Sequence, residues 1–394
     1  MILREHYLSK IRGFYDSDLI KIIVGIRRCG KSIILEQIRD ELKKKTDKIL
    51  YLNLEDYDLE EKIKDARSLL DYINEHKKEG RNYIFLDEVQ NINDWAKACR
   101  SLRLEHSLFI TGSNSKLLSR EFTKELSGRY VSFRIKPFVY KEIKEYAKEL
   151  NKEVSIEDYL TYGGFPAMFN YNTKEEQKEY LINLNETIIF NDLINRYHIR
   201  KVDIFKRIAN FIFRSNARIY SVSSIHKFLN NQDITCSVNT IMKYLSYLEE
   251  AYAINSISPY DTKIKRELLY YKKIYDEDVS FNTIRASVDS IDVTHNLENI
   301  VYNELIYMGY ELYVYTNKNG NEVDFFAYKN NKKYYIQVCY TLVDEKTRER
   351  EFKPFKELDN DCGKIIITYN DPINWSNVNV RHLNLKEFLL LEDL

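Results

Sequence analysis

The stretch "VGIRRCGKSIILEQI", residues 24–38, combines two glycines with a lysine and a serine at the spacing of a phosphate-binding loop. A β-branched run precedes it and a segment of helical periodicity follows it, so the loop is predicted to join a buried strand to a helix. In such a loop the glycines permit the turn, and backbone N–H groups at the helix N-terminus hold phosphate oxygens. The alternative is a chance match in an ordinary turn before an amphipathic helix.

The predicted phosphate site consists of eight consecutive residues. They are Gly25, Ile26, Arg27, Arg28, Cys29, Gly30, Lys31 and Ser32. Lys31 is expected to add a positive charge beside the phosphates, and the Ser32 hydroxyl is expected to bind Mg²⁺. The stretch therefore predicts a site for a nucleotide with its Mg²⁺ ion.

A second apolar run, "RNYIFLDEVQ" (81–90), ends in two adjacent carboxylates. Asp87, at the end of the predicted strand, is placed to contribute to the coordination shell of Mg²⁺. Glu88, one residue further on, is placed to polarise the attacking water as general base. Adjacent acids at a strand end are also common in solvated loops, and it is the pairing with the phosphate loop that favours the catalytic interpretation.

Two further polar features belong to the predicted site. The run "HSLFITGSNS" (106–115) ends in a polar tip, where Ser113 and Asn114 are candidates to contact the terminal phosphate or the water. A plain strand-to-loop turn explains this tip nearly as well. Arg129, in "LSGR", comes just before another predicted strand, where a cation could reach the phosphates of a neighbouring subunit. A surface ion pair is the alternative for this arginine.

Together with "YLTYGGFP" (159–166), these motifs resemble the bacterial and archaeal AAA-type ATPases that carry a C-terminal domain of unknown function. The resemblance extends over nearly the whole chain and implies ATP as the nucleotide and a homo-oligomer as the working form. It implies that Asp87 and Glu88 form the Walker B pair, that Ser113 or Asn114 is sensor 1, and that Arg129 is an arginine finger. The "YGGFP" segment itself predicts a tight turn, because glycine tolerates unusual dihedrals and the residue before a proline is extended.

The next part of the chain is predicted to be helical over 175–200 and to continue as a winged helix-turn-helix. The second helix of that motif would start after Ser237. It would expose Asn239, Thr240 and Lys243 to either a DNA groove or a protein surface. The local charge is not strongly basic, so both kinds of partner stay open.

Residues 291–394 show a helix followed by four strands, an order that resembles the PD-(D/E)XK nuclease fold. The positions that match its metal-side residues are Glu298, Asp324 and Gln337. Where a lysine is expected the chain has Cys339, and a neutral thiol cannot supply the ammonium charge. Either Lys346 or Arg348 substitutes from the next helix, or the fold is degenerate and serves binding or packing. We favour the degenerate fold.

Composition sets outer limits on these interpretations. Sixty Lys and Arg residues balance sixty Asp and Glu residues, so the whole-chain charge gives no argument for nucleic acid or a membrane surface. Five cysteines without a CxxC pair are typical of free thiols in a reducing compartment. No apolar run approaches the roughly 18 residues of a spanning helix. We therefore expect a cytoplasmic protein with no membrane partner.

The sequence thus predicts an α/β protein with four parts. These are an AAA-type P-loop ATPase core with a parallel sheet (1–140), a helical lid or linker (141–202), a winged-helix-like domain (203–280) and a degenerate nuclease-like α/β domain (291–394). The predicted function is Mg²⁺-dependent ATP hydrolysis coupled to C-terminal modules that bind DNA or a client protein. An ATP-regulated nuclease, a slow nucleotide-dependent switch and a DNA-translocating motor are the alternatives.

Overall fold

The computed structural model describes residues 2–113, 126–260, 271–286, 293–317, 319–358 and 361–394. The chain divides into two compact units. The first comprises residues 1–137 and 250–252, and the second comprises residues 138–249 and 253–394. Among the described helices, none is both long enough and apolar enough to cross a membrane.

A five-stranded parallel sheet forms the centre of the first unit. Its strands are β1 (Ile20–Val24), β2 (Ile49–Asn53), β3 (Tyr83–Asp87), β4 (Ser107–Gly112) and β5 (Tyr130–Arg134). They lie in the order β2-β3-β4-β1-β5. Because all neighbours are parallel, the carboxyl ends of the strands meet at one edge of the sheet. β4 separates β1 from β3, so its polar end lies between the glycine loop and the acidic pair.

Helices flank these strands in the sequence. They are Glu5–Arg12, Lys31–Lys43, Tyr57–Glu60, Ala66–His76 and Trp95–Leu102, with a short 3₁₀ turn at Val89–Asn91. Every residue of β1 and β4 is buried, as expected for parallel strands covered on both faces. Phe85 and Phe109 stack in this core with ring centroids 4.7 Å apart. The predicted α/β fold with a parallel sheet is therefore confirmed for this unit.

Lys21 is a charged residue inside this core. Its side chain is fully buried, and its Nζ donates to the Ser107 hydroxyl at 2.7 Å and lies 4.6 Å from the centre of the Phe109 ring. Burial, with the charge of Arg81 added, lowers the pKa of Lys21 to about 7. The folded protein therefore binds this proton less tightly than the unfolded chain does.

We expect Lys21→Met to stabilise the protein near neutral pH and to change its stability little near pH 10. Between pH 7 and about 10 the unfolded chain takes up a proton that folded Lys21 does not, so the free energy of unfolding falls as the pH drops through this range. Methionine has no proton to bind, and the expected gain is a few kcal/mol. Urea unfolding at both pH values measures it, with exposed Lys43→Met as control. A gain that is equal at both pH values would contradict the explanation.

The second unit starts with a helical segment. Its helices are Tyr140–Glu149, Ile156–Tyr162, Lys174–Asn185, a π-helical turn at Glu186–Asp192 and Leu193–Tyr197, with a 3₁₀ turn at Pro166–Asn170. The helical prediction for 175–200 is thereby confirmed as far as Tyr197, where the last of these helices ends. The π turn interrupts the regular helix in a way that the sequence pattern did not predict.

The "YGGFP" turn ends the helix Ile156–Tyr162. Gly163 has φ +73°, and the Gly164 N–H donates to the Asp278 carboxylate at 2.7 Å. A Cβ on Gly164 would lie 2.0 Å from the Phe138 carbonyl oxygen, so the second glycine permits a close backbone approach. Phe165 is extended, with ψ 120°. The predicted tight turn is confirmed, and it forms around a buried carboxylate.

Three helices and a small sheet follow. The helices are Val202–Arg214, Val222–Asn230 and Val238–Glu250, and the strands are β6 (Ile219–Ser221), β7 (Ile254–Ile257) and β8 (Tyr271–Asp276). The sheet is antiparallel, in the order β6-β8-β7. The third helix begins directly after Ser237, as predicted, and the Ser237 hydroxyl accepts a hydrogen bond from the Thr240 N–H at 3.2 Å.

A mixed five-stranded sheet forms the C-terminal part of the second unit. Its strands are β9 (Glu311–Thr316), β10 (Glu322–Lys329), β11 (Lys332–Cys339), β12 (Gly363–Thr368) and β13 (Arg381–Asn384), in the order β13-β12-β11-β10-β9. The accompanying helices are Ser280–Thr283, Val293–Met308, Glu345–Phe352 and Leu385–Leu389, with a 3₁₀ turn at Pro354–Glu357. The predicted helix and four strands are all present. β13 was not predicted, because it is only four residues long.

Candidate functional site

The glycine loop of the first unit connects β1 to the helix Lys31–Lys43. Gly25 has φ +150° and Gly30 has φ +101°. A Cβ on Gly25 would lie 2.2 Å from the Ile135 carbonyl oxygen, so no larger residue fits where the loop passes the end of β5. The loop therefore has the strand-loop-helix context that the motif requires.

The side chain of Arg4 holds the backbone of this loop in place. Its guanidinium is almost fully buried and donates to the Cys29 carbonyl and to the Lys136 carbonyl, each at 3.0 Å. The Cys29 thiol is buried and donates to the Ile135 carbonyl at 3.3 Å. Cys29 is thus connected to the segment that follows β5 twice, through Arg4 at its carbonyl and directly at its thiol. Sequence reasoning missed Arg4, because no motif marks it.

Lys31 and Glu88 face each other at the centre of the site. Lys31 Nζ is buried, lies 3.7 Å from a Glu88 carboxylate oxygen, and donates to the Ile26 carbonyl at 3.2 Å. Gln90 donates to the other Glu88 oxygen at 2.5 Å. The predicted phosphate-binding lysine and the predicted general base therefore form an ion pair with each other.

The hydroxyl of Thr111, at the end of β4, connects the two acids. It donates to Asp87 Oδ1 and accepts from the Glu88 N–H at 2.8 Å. Glu88 is left-handed, with φ +55°, and this hydrogen bond holds its backbone there. The contact is possible because β4 pairs in parallel with β3, which places Thr111 beside the end of β3.

Tyr51 holds the second oxygen of Asp87. It comes from β2, and its phenol donates to Asp87 Oδ2 at 3.0 Å. Burial, with the charge of Asp87 added, raises the pKa of Tyr51, so the phenol stays protonated and remains a donor. Thr111 belongs to the polar tip that the sequence marked, whereas nothing in the sequence marked Tyr51.

The residues at this edge fit a Mg²⁺ ion by the chemistry of their donors. Ser32 presents a hydroxyl from the first turn of its helix, and Asp87 presents a carboxylate from the end of β3. Magnesium prefers such oxygen ligands and keeps several waters. Each Asp87 oxygen accepts one hydrogen bond and so retains a further lone pair for a ligand.

The other predicted site residues are placed differently. Ser113 is buried and follows β4, whose Gly112 is paired with Val24 directly before the loop, so it lies beside the loop. Asn114 lies outside the described residues. Arg129 precedes β5, and its carbonyl accepts from the Ile20 N–H at 2.9 Å. It therefore lies at the opposite edge of the sheet, about 13 Å along the five-residue strand from the loop.

A second polar cluster lies in the C-terminal sheet of the second unit. The structure brings Glu298, Asp324 and Gln337 together, as predicted, since Asp324 N–H donates to the Gln337 amide oxygen at 3.3 Å. Lys273, from β8, lies 2.8 Å from Glu298 and 3.0 Å from Asp324. Burial opposes the charge of Lys273, but these carboxylates outweigh it and raise the pKa of Lys273 well above its usual value. The cluster thus holds a permanent ammonium.

The expected lysine substitutes do not occupy this position. Lys346 is exposed, and the Arg348 guanidinium donates to the Leu342 carbonyl at 3.1 Å and lies 4.4 Å from the Trp375 ring. Burial raises the pKa of the Cys339 thiol, which keeps it neutral. Among the described residues, no group of three or more His, Cys, Asp and Glu side chains is arranged to hold a metal ion. Sequence reasoning missed Lys273, because it lies outside the segment that resembles the nuclease fold.

Comparisons with known proteins agree with the geometry of the first unit. Residues 17–144 match an AAA domain, residues 153–290 match a domain of unknown function (DUF8612), and residues 294–386 match another (DUF4143). An uncharacterized protein of Haemophilus influenzae is 32% identical over 381 residues, covering 93% of this chain and 93% of that protein. An uncharacterized protein of Methanocaldococcus jannaschii is 32% identical over 382 residues, covering 89% of this chain and 82% of that protein.

A Walker-type ATPase of Pyrococcus abyssi is similar in structure, with a TM-score of 0.49 at 16% identity, over 72% of this chain and 95% of that one. The chain belongs to the AAA-type ATPases that carry additional C-terminal domains of unknown function. The resemblance drawn from the sequence motifs is thereby confirmed.

Proposed function

We propose that the first unit binds ATP with Mg²⁺ and hydrolyses it, and that the second unit carries the modules that respond to the nucleotide. The observation that carries this proposal is the Thr111 hydroxyl, which holds both Asp87 and Glu88 opposite a glycine loop containing Lys31. A carboxylate for the metal, a carboxylate for the water and a cation for the phosphates converge at one edge of the sheet. These are the parts that phosphoryl transfer requires.

Each of these groups has a distinct role in the proposed reaction. Backbone N–H groups of residues 25–32 hold the phosphate oxygens, and Lys31 neutralises part of their charge. Magnesium, when bound, neutralises charge that develops on the transferred phosphoryl group. Glu88 orients and deprotonates the attacking water. The triphosphate competes for Lys31 and thereby weakens the Lys31–Glu88 pair seen at 3.7 Å, which leaves Glu88 free to face the water.

The proposal is tested by ATP binding and phosphate release in the wild type and in two lysine variants. Lys31→Ala removes the buried ammonium and is expected to weaken ATP binding strongly. Lys43→Ala removes an exposed lysine from the same helix and is expected to leave binding and turnover unchanged. A wild type that releases no phosphate from ATP in the presence of Mg²⁺ would overturn the proposal.

The position of Arg129 supports a role toward a neighbouring subunit of a homo-oligomer. It lies at the edge of the sheet opposite the loop of its own chain, so it is not placed to reach its own phosphates. We expect Arg129→Ala and Lys31→Ala proteins to be inactive separately and to recover part of the activity when mixed. A mixed interface pairs an intact loop with an intact arginine.

Phosphate release by the mixed variants, together with the light-scattering mass of the wild type, measures this complementation. Each variant assayed alone at the same total protein concentration serves as the control and is expected to stay inactive. Full activity in a wild type that is monomeric at the assay concentration would contradict the role of Arg129.

We propose that the helices and sheet of residues 202–276 act as a winged-helix-like module. The sheet order β6-β8-β7 and the helix Val238–Glu250 support this interpretation. Asn239 and Lys243 are exposed on that helix, as predicted, whereas Thr240 is half-buried. Val238 and Met242 are exposed on the same helix at 44% and 49%. A face of this kind supports contact with DNA or with a client protein.

ATP turnover with and without duplex DNA separates the remaining functions. Stimulation by DNA that disappears at higher salt would favour DNA as the partner, because phosphate contacts weaken with salt. Turnover that DNA leaves unchanged would favour a protein client. Very slow turnover with nucleotide that stays bound would favour a nucleotide-dependent switch.

We also expect that the wild type does not cleave single-stranded, duplex or branched DNA with Mg²⁺ or Mn²⁺. Lys273 pairs with Glu298 and Asp324 at the place where the nuclease-like fold would need a metal, and Cys339 stands where a lysine is expected. Losing one electrostatic donor of the transition state typically costs about 3 kcal/mol. A DNA cleavage assay with an Asp324→Ala control measures this. Cleavage that disappears in the control would establish an ATP-regulated nuclease instead.

A further inference from the structure

The ammonium of Lys273 is surrounded by carboxylates from two other elements. Its Nζ lies 2.8 Å from Glu298, 3.0 Å from Asp324 and 3.1 Å from Glu322. Lys273 comes from β8, Glu298 from the helix Val293–Met308, and the other two acids from β10. Three N–H bonds of the ammonium thus face three carboxylates, which is the full donor capacity of a lysine.

The two buried acids have further donors that fix their orientation. The Tyr275 phenol donates to Glu298 Oε1 at 2.6 Å, and the Val338 N–H donates to Asp324 Oδ2 at 2.9 Å. The Lys273 side chain is only 5% exposed, and those of Glu298 and Asp324 are each 11% exposed. These groups therefore form a built interior centre, in which each of the two buried acids has Lys273 and one further donor as partners.

We propose that the Lys273 ammonium is the resident cation of this centre and occupies the position where a nuclease-like fold would hold a divalent metal. An ammonium is held at hydrogen-bond distance, whereas Mg²⁺ needs oxygens at about 2.0–2.1 Å in octahedral geometry. The same carboxylates cannot serve both cations at once. A divalent ion beside a buried ammonium would also be repelled strongly at low dielectric. The centre is thus closed to metal as long as Lys273 stays in place.

Lys273 also has an effect on the stability of the second unit. Because β8 belongs to the small antiparallel sheet and the acids belong to the C-terminal part, the ammonium connects these two parts of the second unit. Removing it leaves buried carboxylates that repel one another, which is destabilising unless another cation replaces it. A divalent ion is expected to be that replacement.

The test compares Lys273→Ala with Lys272→Ala, whose lysine is the neighbouring residue and is exposed at 45%. Thermal unfolding and Mn²⁺ binding by electron paramagnetic resonance are measured without nucleotide. We expect Lys273→Ala to unfold several degrees lower, to recover part of that loss when Mn²⁺ is added, and to bind one more Mn²⁺ per chain than the wild type. Lys272→Ala is expected to behave as the wild type in all three measurements.

Three further variants complete the test: Asp324→Asn alone, Asp324→Asn combined with Lys273→Ala, and a triple variant. Adding Asp324→Asn to Lys273→Ala is expected to abolish the additional Mn²⁺ binding. If Lys273→Ala does not fold, the triple variant K273M/E298Q/D324N, which removes the three buried charges together and leaves only the partly exposed Glu322, is expected to fold and to show no response to Mn²⁺. A folded Lys273→Ala protein without additional Mn²⁺ binding, or wild-type Mn²⁺ binding that Asp324→Asn abolishes, would overturn the inference. An unfolded triple variant would overturn it as well. Because no nucleotide is used, failure of the ATPase proposal would not affect these results.

Discussion

The Glu88→Gln protein will keep its ATP bound and will hydrolyse it about 10²–10⁴-fold more slowly than the wild type. Glutamine preserves the size of the side chain and leaves the loop with Lys31 unchanged, so the phosphates keep their contacts. It removes the base that takes the proton from the attacking water. A loss in turnover without a loss in ATP affinity is the signature of a group that acts in the transition state.

Single-turnover phosphate release and nucleotide binding under the same conditions measure the two effects separately. Glu105→Gln is the matched control, because the Glu105 side chain is 73% exposed. This variant should turn over ATP at the wild-type rate. Wild-type turnover in the Glu88→Gln protein would remove Glu88 from the catalytic role. The assignment of the loop would then still rest on Lys31→Ala.

The Gly163→Ala protein will be strongly destabilised in its second unit. A Cβ on Gly163 would lie 1.8 Å from Asp278 Oδ1, and the residue has φ +73° and ψ −154°, a backbone conformation that an alanine adopts poorly. The carboxylate cannot move aside easily, because it accepts hydrogen bonds from the Gly164 and Ser280 N–H groups at 2.7 and 3.0 Å. Backbone strain and overpacking together are expected to cost about 3–5 kcal/mol.

Gly309→Ala is the matched control for this change. Gly309 lies in the same unit and also has a positive φ, of +92°, but a Cβ there would meet nothing within 4 Å. We expect it to lose only the backbone contribution, about 1–2 kcal/mol. Thermal and urea unfolding of both variants separate the two contributions. Equal losses in both proteins would show that the Asp278 contact is not what requires a glycine at position 163.

Local patterns predicted much of the fold and the main site residues. The β-branched run before Gly25 and the helical period after Lys31 lie next to each other in the sequence, so strand, loop and helix follow from neighbouring residues. The same holds for the helix that begins after Ser237, because its first-turn hydrogen bond spans only three residues. The YGGFP turn was also predictable, although the carboxylate it surrounds was not.

The sequence by itself thus determined the strand and helix on either side of the glycine loop, and it identified that loop as a phosphate-binding motif. The tertiary structure alone decided which distant groups complete each site. Thr111 reaches Asp87 because β4 pairs with β3, and strand order is set by packing of the whole sheet. Lys273 reaches Asp324, 51 residues away, because two separate sheets pack together. Such contacts depend on burial and pairing across the fold, and a local sequence pattern carries no information about them.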